Sequence, residues 1–263
     1  MADRSVKELL ASSQLAFAGH VEEVGRSTVG GVEADDRTVV VRVSQLLHAP
    51  EGVELPPGSR VTVQLSPDLS ALGPGEQATF FANGWVYGET LAVTEVGRTS
   101  VQDAAAPEAT ATADDDEEAV APTVSPVEAA KAELDDDELV EHAREADAVI
   151  RGQVTALAQV PKEGPAGEHD ADWWIATIAA DLVAGGEIPG ASEEGGSVEV
   201  LYANSLDRYW RHSPKPKAGQ AGLWLLHRAR DELAGFAPFE LVHPMDVQPS
   251  LRLDLLRERG VEG

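Results

Sequence analysis

Hydrophobic and polar residues alternate along the first third of the chain in a way that predicts β-strands rather than helices. Val61, Val63 and Leu65 face one side of a predicted strand, and the residues between them are polar. Segment 38–47 is rich in β-branched residues, which is the strongest strand signal in the sequence. The first 98 residues predict five strands, at 15–25, 38–47, 60–65, 77–82 and 90–96.

The same order of segments returns after residue 137, which indicates an internal duplication. Gly19 inside the first strand is matched by Gly152, and Gly75 before the fourth strand is matched by Gly219. The repeat is about 90 to 120 residues long, which is far longer than a solenoid unit. We therefore predict two copies of one small domain, and Gly19 inside the first strand predicts a bulge or a tight bend.

Five strands with glycine bends and polar loops favour a small closed barrel, because closure removes unpaired edge strands. An immunoglobulin-like sandwich is the alternative, but it needs about seven strands. The predicted fold class is mainly β, with two tandem five-stranded OB-like barrels and short flanking helices. The predicted domains are a first barrel at 1–98, a disordered acidic linker at 99–137, and a second barrel with a C-terminal helix at 138–263.

Glycines and apolar positions in both halves resemble those of bacterial OB-like domains related to the netrin and tissue-inhibitor modules. The shared pattern is a Gly-x-Val in the first strand, two alternating valines in the third, and a glycine turn into an apolar fourth strand. The resemblance implies binding or inhibitory modules rather than catalysts. The residues that carry it are Gly19, Val21, Val61, Val63, Gly75, Glu76, Phe80 and Phe81, and then Gly152, Val154, Val198, Val200, Gly219, Gln220, Trp224 and Leu225.

The chain carries a net charge of -26, and residues 99–137 contain 12 acidic residues and one basic residue. Self-repulsion and low hydrophobicity predict that this segment is extended and disordered. Such a charge repels phosphates and anionic lipid, which argues against nucleic acid and membrane partners. The sequence shows no membrane span and no secretory signal, so we predict a cytoplasmic protein. The absence of cysteine excludes disulfides and thiolate chemistry.

One segment of this acidic chain is basic and aromatic, and it predicts a binding site in the second barrel. Arginine and aromatic side chains are enriched where protein interfaces are buried. The alternative is that the two aromatic residues plug the barrel end while the cations stay in water. The predicted binding residues are Arg208, Tyr209, Trp210, Arg211, Lys215 and Lys217.

A second candidate is a histidine–aspartate loop that precedes the second strand of the second barrel. It contains His169, Asp170 and Asp172. In an extended segment the two aspartates project to the same side, where a hard cation would fit between them. A catalytic zinc site needs three protein ligands, and no His-Glu-x-x-His or EF-hand motif supplies a complete set, so we predict a solvated polar loop and no metal, with these three residues as the alternative metal ligands.

We expect a non-catalytic binding or adaptor protein that holds a protein or anionic partner through its second barrel. The sequence contains no phosphate-binding glycine loop and no nucleophile elbow, and no cofactor is predicted. One alternative is a metal-dependent hydrolase that uses the loop around His169 together with His227. Another is single-stranded nucleic acid binding, which OB barrels perform by stacking and a basic groove. His212, His227 and His243 lie in different loops, and the sequence leaves open whether they meet.

Overall fold

The structure is a computed structural model. The chain forms two compact units, and the boundary lies between residues 135 and 136. Each unit contains a closed five-stranded barrel. The predicted fold class of two tandem OB-like barrels with short helices is therefore confirmed. The described residues are 4–30, 34–87, 90–100, 125–161, 171–189 and 196–261. Within these ranges no helix has the length and apolar character needed to cross a bilayer.

The first unit consists of one short helix followed by five strands. The strands close in the order β1-β2-β3-β5-β4, where β3 and β5 are parallel and the other neighbours are antiparallel. This Greek-key closure is that of an OB-type barrel. The elements are α1 (Val6–Ala11), β1 (Leu15–Val24), β2 (Thr38–His48), β3 (Arg60–Gln64), β4 (Gln77–Tyr87) and β5 (Thr90–Thr99).

The interior of the first barrel is filled by the apolar face of each strand. Phe17 and Phe80 stack at its centre with ring centroids 5.5 Å apart. The pairing of β1 with β2 shifts register between Ala18 and Gly19, which confirms the predicted bulge. A Cβ at Gly19 would lie 2.6 Å from the carbonyl oxygen of Arg42, so only glycine allows the two backbones to approach this closely.

The second unit repeats this arrangement and adds elements at its end. Its barrel closes in the order β6-β7-β8-β10-β9, with β8 and β10 parallel, and β11 pairs with β9. The elements are α2 (Pro126–Glu145), which begins before residue 136, β6 (Ala148–Gln159), β7 (Trp173–Gly186), β8 (Gly196–Ala203), β9 (Ala221–Arg228), β10 (Phe239–Leu241), a 3-10 helix (Pro244–Asp246), β11 (Val247–Gln248) and α3 (Arg252–Glu258).

The backbone register shows the duplication that the sequence predicts. Gly152 lies at a register shift between β6 and β7, as Gly19 does between β1 and β2. The N–H of Gly75 donates to the carbonyl of Val21 at 2.7 Å, and the N–H of Gly219 donates to the carbonyl of Val154 at 2.9 Å. Both turn glycines have a positive φ, +89° and +79°, which explains why glycine occupies them.

The acidic segment before the second barrel differs from its prediction at its C-terminal end. Residues 101–124 lie outside the described residues, so the disorder predicted there stays a prediction. Residues 126–137 are helical instead, because they belong to α2, which starts at Pro126. Ser125 and Glu128 form a reciprocal cap: each backbone N–H donates to the side chain of the other, at 3.0 and 3.1 Å. Proline is well suited to the position after such a cap.

Each of the three aspartates at 135–137 in α2 is paired with a cation. Asp135 accepts from Lys131 at 2.7 Å, Asp136 pairs with Arg252, and Asp137 lies 3.2 Å from Arg259. These pairs reduce the self-repulsion that predicted an extended chain.

The first turns of α2 contribute apolar side chains to a cluster of the first unit, and its last turns contribute to a cluster of the second unit. In the first unit, Val127 and Ala130 join Leu9, Leu10 and Phe81 in one buried cluster. In the second unit, the last turns of α2 and helix α3 cover one face of β6 and β9. The buried members of this second cluster are Leu139, Val140, Ala143, Val149, Leu223, Leu225, Leu253 and Leu256.

Candidate functional site

The predicted binding residues lie in the loop that connects β8 and β9, which we call the aromatic–cationic loop (residues 204–218). Asp207 folds its first part into a tight turn. Its carboxylate accepts the N–H of Tyr209 at 2.9 Å, and its carbonyl accepts the N–H groups of Trp210 and Arg211 at 2.9 and 2.8 Å. An aspartate that bonds its own backbone two residues ahead is typical of such turns.

Trp210 anchors this turn to the barrel. Its ring stands edge-on to the ring of Trp173, the first residue of β7, with centroids 5.4 Å apart and planes at 72°. The guanidinium of Arg230 lies 5.5 Å from the centroid of the Trp173 ring and bonds the carboxylate of Glu240 at 3.1 Å. This arrangement combines an aromatic pair with a cation–π contact. Trp210 is therefore half-buried, and its ring packs the loop against the barrel.

Lys215 stabilises the second part of the loop from within. Its Nζ donates to the carbonyl oxygens of Trp210 at 2.8 Å and of Ser213 at 3.1 Å. Partial burial lowers the pKa of Lys215. The side chain thus closes the loop on itself.

The remaining members of the predicted set are exposed. Tyr209 is 59% exposed and Leu206, three residues before it, is 85% exposed. Arg208 donates to the Tyr209 hydroxyl at 2.9 Å and lies over its ring at 4.8 Å, which gives the two side chains a shared surface. Arg211 donates to the ring of His212 at 2.6 Å, and Lys217 is exposed. The binding role of these residues stays a prediction, but their surface is accessible.

The loop that contains the alternative metal candidates His169, Asp170 and Asp172 is described only in part. His169 and Asp170 lie outside the described residues. Asp172 is described, and its backbone holds the start of the aromatic–cationic loop. Its N–H donates to the hydroxyl of Ser205 at 2.7 Å, and its carbonyl accepts the N–H of Asn204 at 2.8 Å.

A group that the sequence did not identify as a site lies elsewhere in the second unit, and we call it the histidine–aspartate cluster (His142, His227, His243 and Asp246). Nε2 of His142 is 2.7 Å and Nε2 of His227 is 3.1 Å from the same Oδ1 of Asp246. The ring of His142 lies between the other two, with centroid distances of 5.2 Å to His227 and 4.7 Å to His243.

The other oxygen of Asp246 is fixed by the backbone. Oδ2 accepts the N–H of Val242 at 2.6 Å and the N–H of His243 at 2.7 Å. The Asp246 side chain has no exposed area, whereas His142 and His227 retain 15% and 20%. The carboxylate is thus a buried anchor with two imidazoles on its solvent side.

Hydrogen bonding and burial shift the pKa of Asp246 and of His227 in this cluster. Burial would raise the pKa of Asp246, but hydrogen bonds from His227, from His142 and from the backbone outweigh it and lower that pKa. The hydrogen bond to Asp246 raises the pKa of His227 against the opposing effect of burial, and Asp147 and Glu240 add to the increase. The surroundings of His227 are therefore anionic and favour a positive charge.

The structure answers the question of which histidines meet. His227 and His243 belong to one cluster through His142, whereas His212 contacts Arg211 in the aromatic–cationic loop. The sequence contained no motif for this arrangement, since His142 and Asp246 are 104 residues apart.

Comparison with protein-family models gives no match for this chain. Comparison with curated proteins gives none either.

Proposed function

We propose that the protein is a non-catalytic binding module whose second barrel holds an acidic protein segment at the aromatic–cationic loop. One observation carries the proposal: Arg208 and Tyr209 form a single exposed surface on a loop that Trp210 and Lys215 hold in place. A surface held in place before binding loses less conformational entropy on association. Arginine and tyrosine are also the residues that most often dominate binding energies.

The charge distribution supports an anionic partner. Residues 208–217 contain four cations and no acidic residue, in a chain whose net charge is -26. A positive patch on a negative protein attracts an acidic segment and orients it on approach. Trp173 and Arg230 extend this surface towards the start of β7 and the connection from β9 to β10, positions that OB-type barrels use for ligands.

The resemblance of the sequence motifs to the netrin and tissue-inhibitor modules also supports a non-catalytic binding role. Those modules bind or inhibit and do not catalyse. Neither the family relationship nor the partner follows from the fold, because one fold serves many functions.

The test uses the full chain and two labelled probes, an Asp/Glu-rich peptide and a single-stranded oligonucleotide, in fluorescence anisotropy at two salt concentrations. We expect the peptide to bind more weakly at high salt. The double variant Arg208→Glu/Arg211→Glu should weaken its binding by at least about 10-fold, because repulsion replaces attraction at the contact surface.

The matched control is Arg26→Glu/Arg228→Glu, which changes the net charge equally at two exposed arginines outside the loop. It should leave the affinity within about 2-fold, since a rim charge acts mainly by long-range attraction. Equal losses in both double variants would contradict a specific site and leave only a bulk charge effect. Tighter binding of the oligonucleotide would instead establish the nucleic acid alternative. Affinity capture from lysate with the same variants would then identify the natural partner.

A further inference from the structure

The histidine–aspartate cluster contains the donor atoms of a metal site. We infer that His142, His227 and Asp246 bind one divalent transition-metal ion of the zinc type. Two imidazole nitrogens and one carboxylate oxygen form a three-ligand set that leaves the fourth tetrahedral position open. Imidazole suits zinc and its first-row neighbours, whereas calcium and magnesium prefer oxygen ligands alone.

The spacing of the donor atoms fits such an ion. One ligand atom from each of the three residues lies within 4.8 Å of the other two. A tetrahedral ion with bonds of about 2.0 Å holds its ligand atoms about 3.3 Å apart. The two Nε2–Oδ1 distances are 2.7 and 3.1 Å, slightly shorter than this separation, so the imidazoles would have to move apart from the carboxylate to admit the ion.

The supporting groups orient the carboxylate as metal sites require. Two backbone N–H groups, of Val242 and His243, hold Oδ2 of Asp246 and leave Oδ1 directed at both imidazoles. Fixed partners of this kind set the orientation of ligating side chains.

The position of the cluster shows what the ion would do. His142 belongs to α2, His227 is the penultimate residue of β9, and Asp246 ends the 3-10 helix, so the ion would link three elements of the second unit. An ion that binds only the folded state stabilises it by mass action. Partial exposure of both imidazoles gives the ion access from solvent.

The experiment starts from the metal-free full chain. Calorimetric titration with Zn²⁺ should give one ion per chain, and Co²⁺ should give the intense visible bands of a four-coordinate site. Zn²⁺ should also raise the melting temperature. Failure of the wild-type chain to bind either ion would overturn the inference and leave the cluster as a hydrogen-bonded contact.

Two variants locate the site. His142→Gln and His227→Gln each remove one ligand, and the glutamine amide can still bond Asp246 and so preserve the metal-free fold. We expect each to weaken Zn²⁺ binding by more than about 100-fold, because loss of a residue that only supports a ligand already costs about 10- to 100-fold. Melting of the metal-free variants, followed by circular dichroism, checks that the fold is intact.

Two control variants separate this cluster from other candidates. His212→Gln removes an exposed histidine that contacts Arg211, and Asp172→Asn changes the loop that was the alternative metal candidate in the sequence. Both should bind Zn²⁺ and Co²⁺ like the wild type. Unchanged binding in His227→Gln, or a loss confined to Asp172→Asn, would overturn the assignment.

Discussion

The first and the second barrel carry different side chains at the same register position of the fourth strand. Asn83 in β4 lies opposite Thr94, and His227 in β9 lies opposite Glu240. Asn83 accepts the N–H of Gln14 at 2.8 Å and so closes the connection between α1 and β1. In the first barrel, this position of the fourth strand therefore serves a local connection.

In the second barrel the same position serves the histidine–aspartate cluster. His227 reaches Asp246, which belongs to a segment that follows the last barrel strand. On the helix before the barrel, His142 contacts the same carboxylate. The metal site that we infer is therefore an addition to the second copy, at a position where the first copy has only a structural amide.

The loops between the third and fourth strands differ in a similar way. In the first barrel this loop contains neither aromatic nor basic residues, and Arg37 holds it from outside by donating to the carbonyls of Ser66 and Leu69 at 2.7 and 3.2 Å. In the second barrel Lys215 closes the loop from within. The two copies thus share their buried barrel strands and differ in their surface loops.

The largest expected effect comes from the aromatic residue at the centre of each barrel. Phe80 and Trp224 have no exposed area, and Phe80→Ala and Trp224→Ala should each lower the free energy of unfolding by about 3–5 kcal/mol. Hydrogen exchange should rise in β1–β5 for the first variant and in β6–β10 for the second. Increased exchange in the wrong barrel would contradict the assignment of each residue to its own core. Leu251→Ala, at a residue that is 84% exposed, is the control.

Trp224 also carries a polar contact that Phe80 lacks. Its indole N–H donates to the carbonyl of Gly152 at 3.1 Å in the buried interior. Trp224→Phe should therefore cost about 1–3 kcal/mol, because the buried carbonyl loses its donor. Equal stability of Trp224→Phe and wild type in chemical denaturation would show that this bond does not distinguish the two barrels.

The two strand glycines should respond alike if the barrels share their register. A Cβ would lie 2.6 Å from the carbonyl oxygen of Arg42 at Gly19 and 2.5 Å from that of Ala179 at Gly152. Gly19→Ala and Gly152→Ala should each destabilise by about 1–3 kcal/mol in chemical denaturation, because the backbones must separate. Gly30→Ala, where no atom lies within 4 Å of the added carbon, should change stability by less than about 0.5 kcal/mol. A large loss for only one strand glycine would break the equivalence.

Many of the barrel strands could be predicted from the sequence because strand alternation and glycine turns are local signals. Alternation gave β1 as 15–25 and β3 as 60–65, and the structure has Leu15–Val24 and Arg60–Gln64. Glycines marked both bulges and both turns. By contrast, β10 contains only three residues, too few for alternation to be seen, and Pro238 precedes it.

The histidine–aspartate cluster could not be predicted, because its members come together only through the closed barrel. His142 and Asp246 are separated by 104 residues, and neither belongs to a metal-binding motif. The start of α2 is a different case, since its signal was present in the sequence. Ser125-Pro126-Val127-Glu128 is a capping box with proline at the first helical position, but the acidic composition of the surrounding segment favoured a disordered linker.

The smallest expected effect tests that capping box against its counterpart at α1. Glu128 donates its N–H to the hydroxyl of Ser125 at 3.1 Å, and Glu8 donates to that of Ser5 at 3.2 Å. Ser125→Ala should destabilise the first turn of α2 by about 1 kcal/mol, and Ser5→Ala by less, because Ser125 is buried and Ser5 is exposed. Amide exchange of Glu128 and Glu8 measures both effects, and Ser125→Asp should restore protection because aspartate also caps helices. If the amide of Glu128 already exchanges fast in the wild type, the disorder that composition predicts for the acidic segment extends past residue 125.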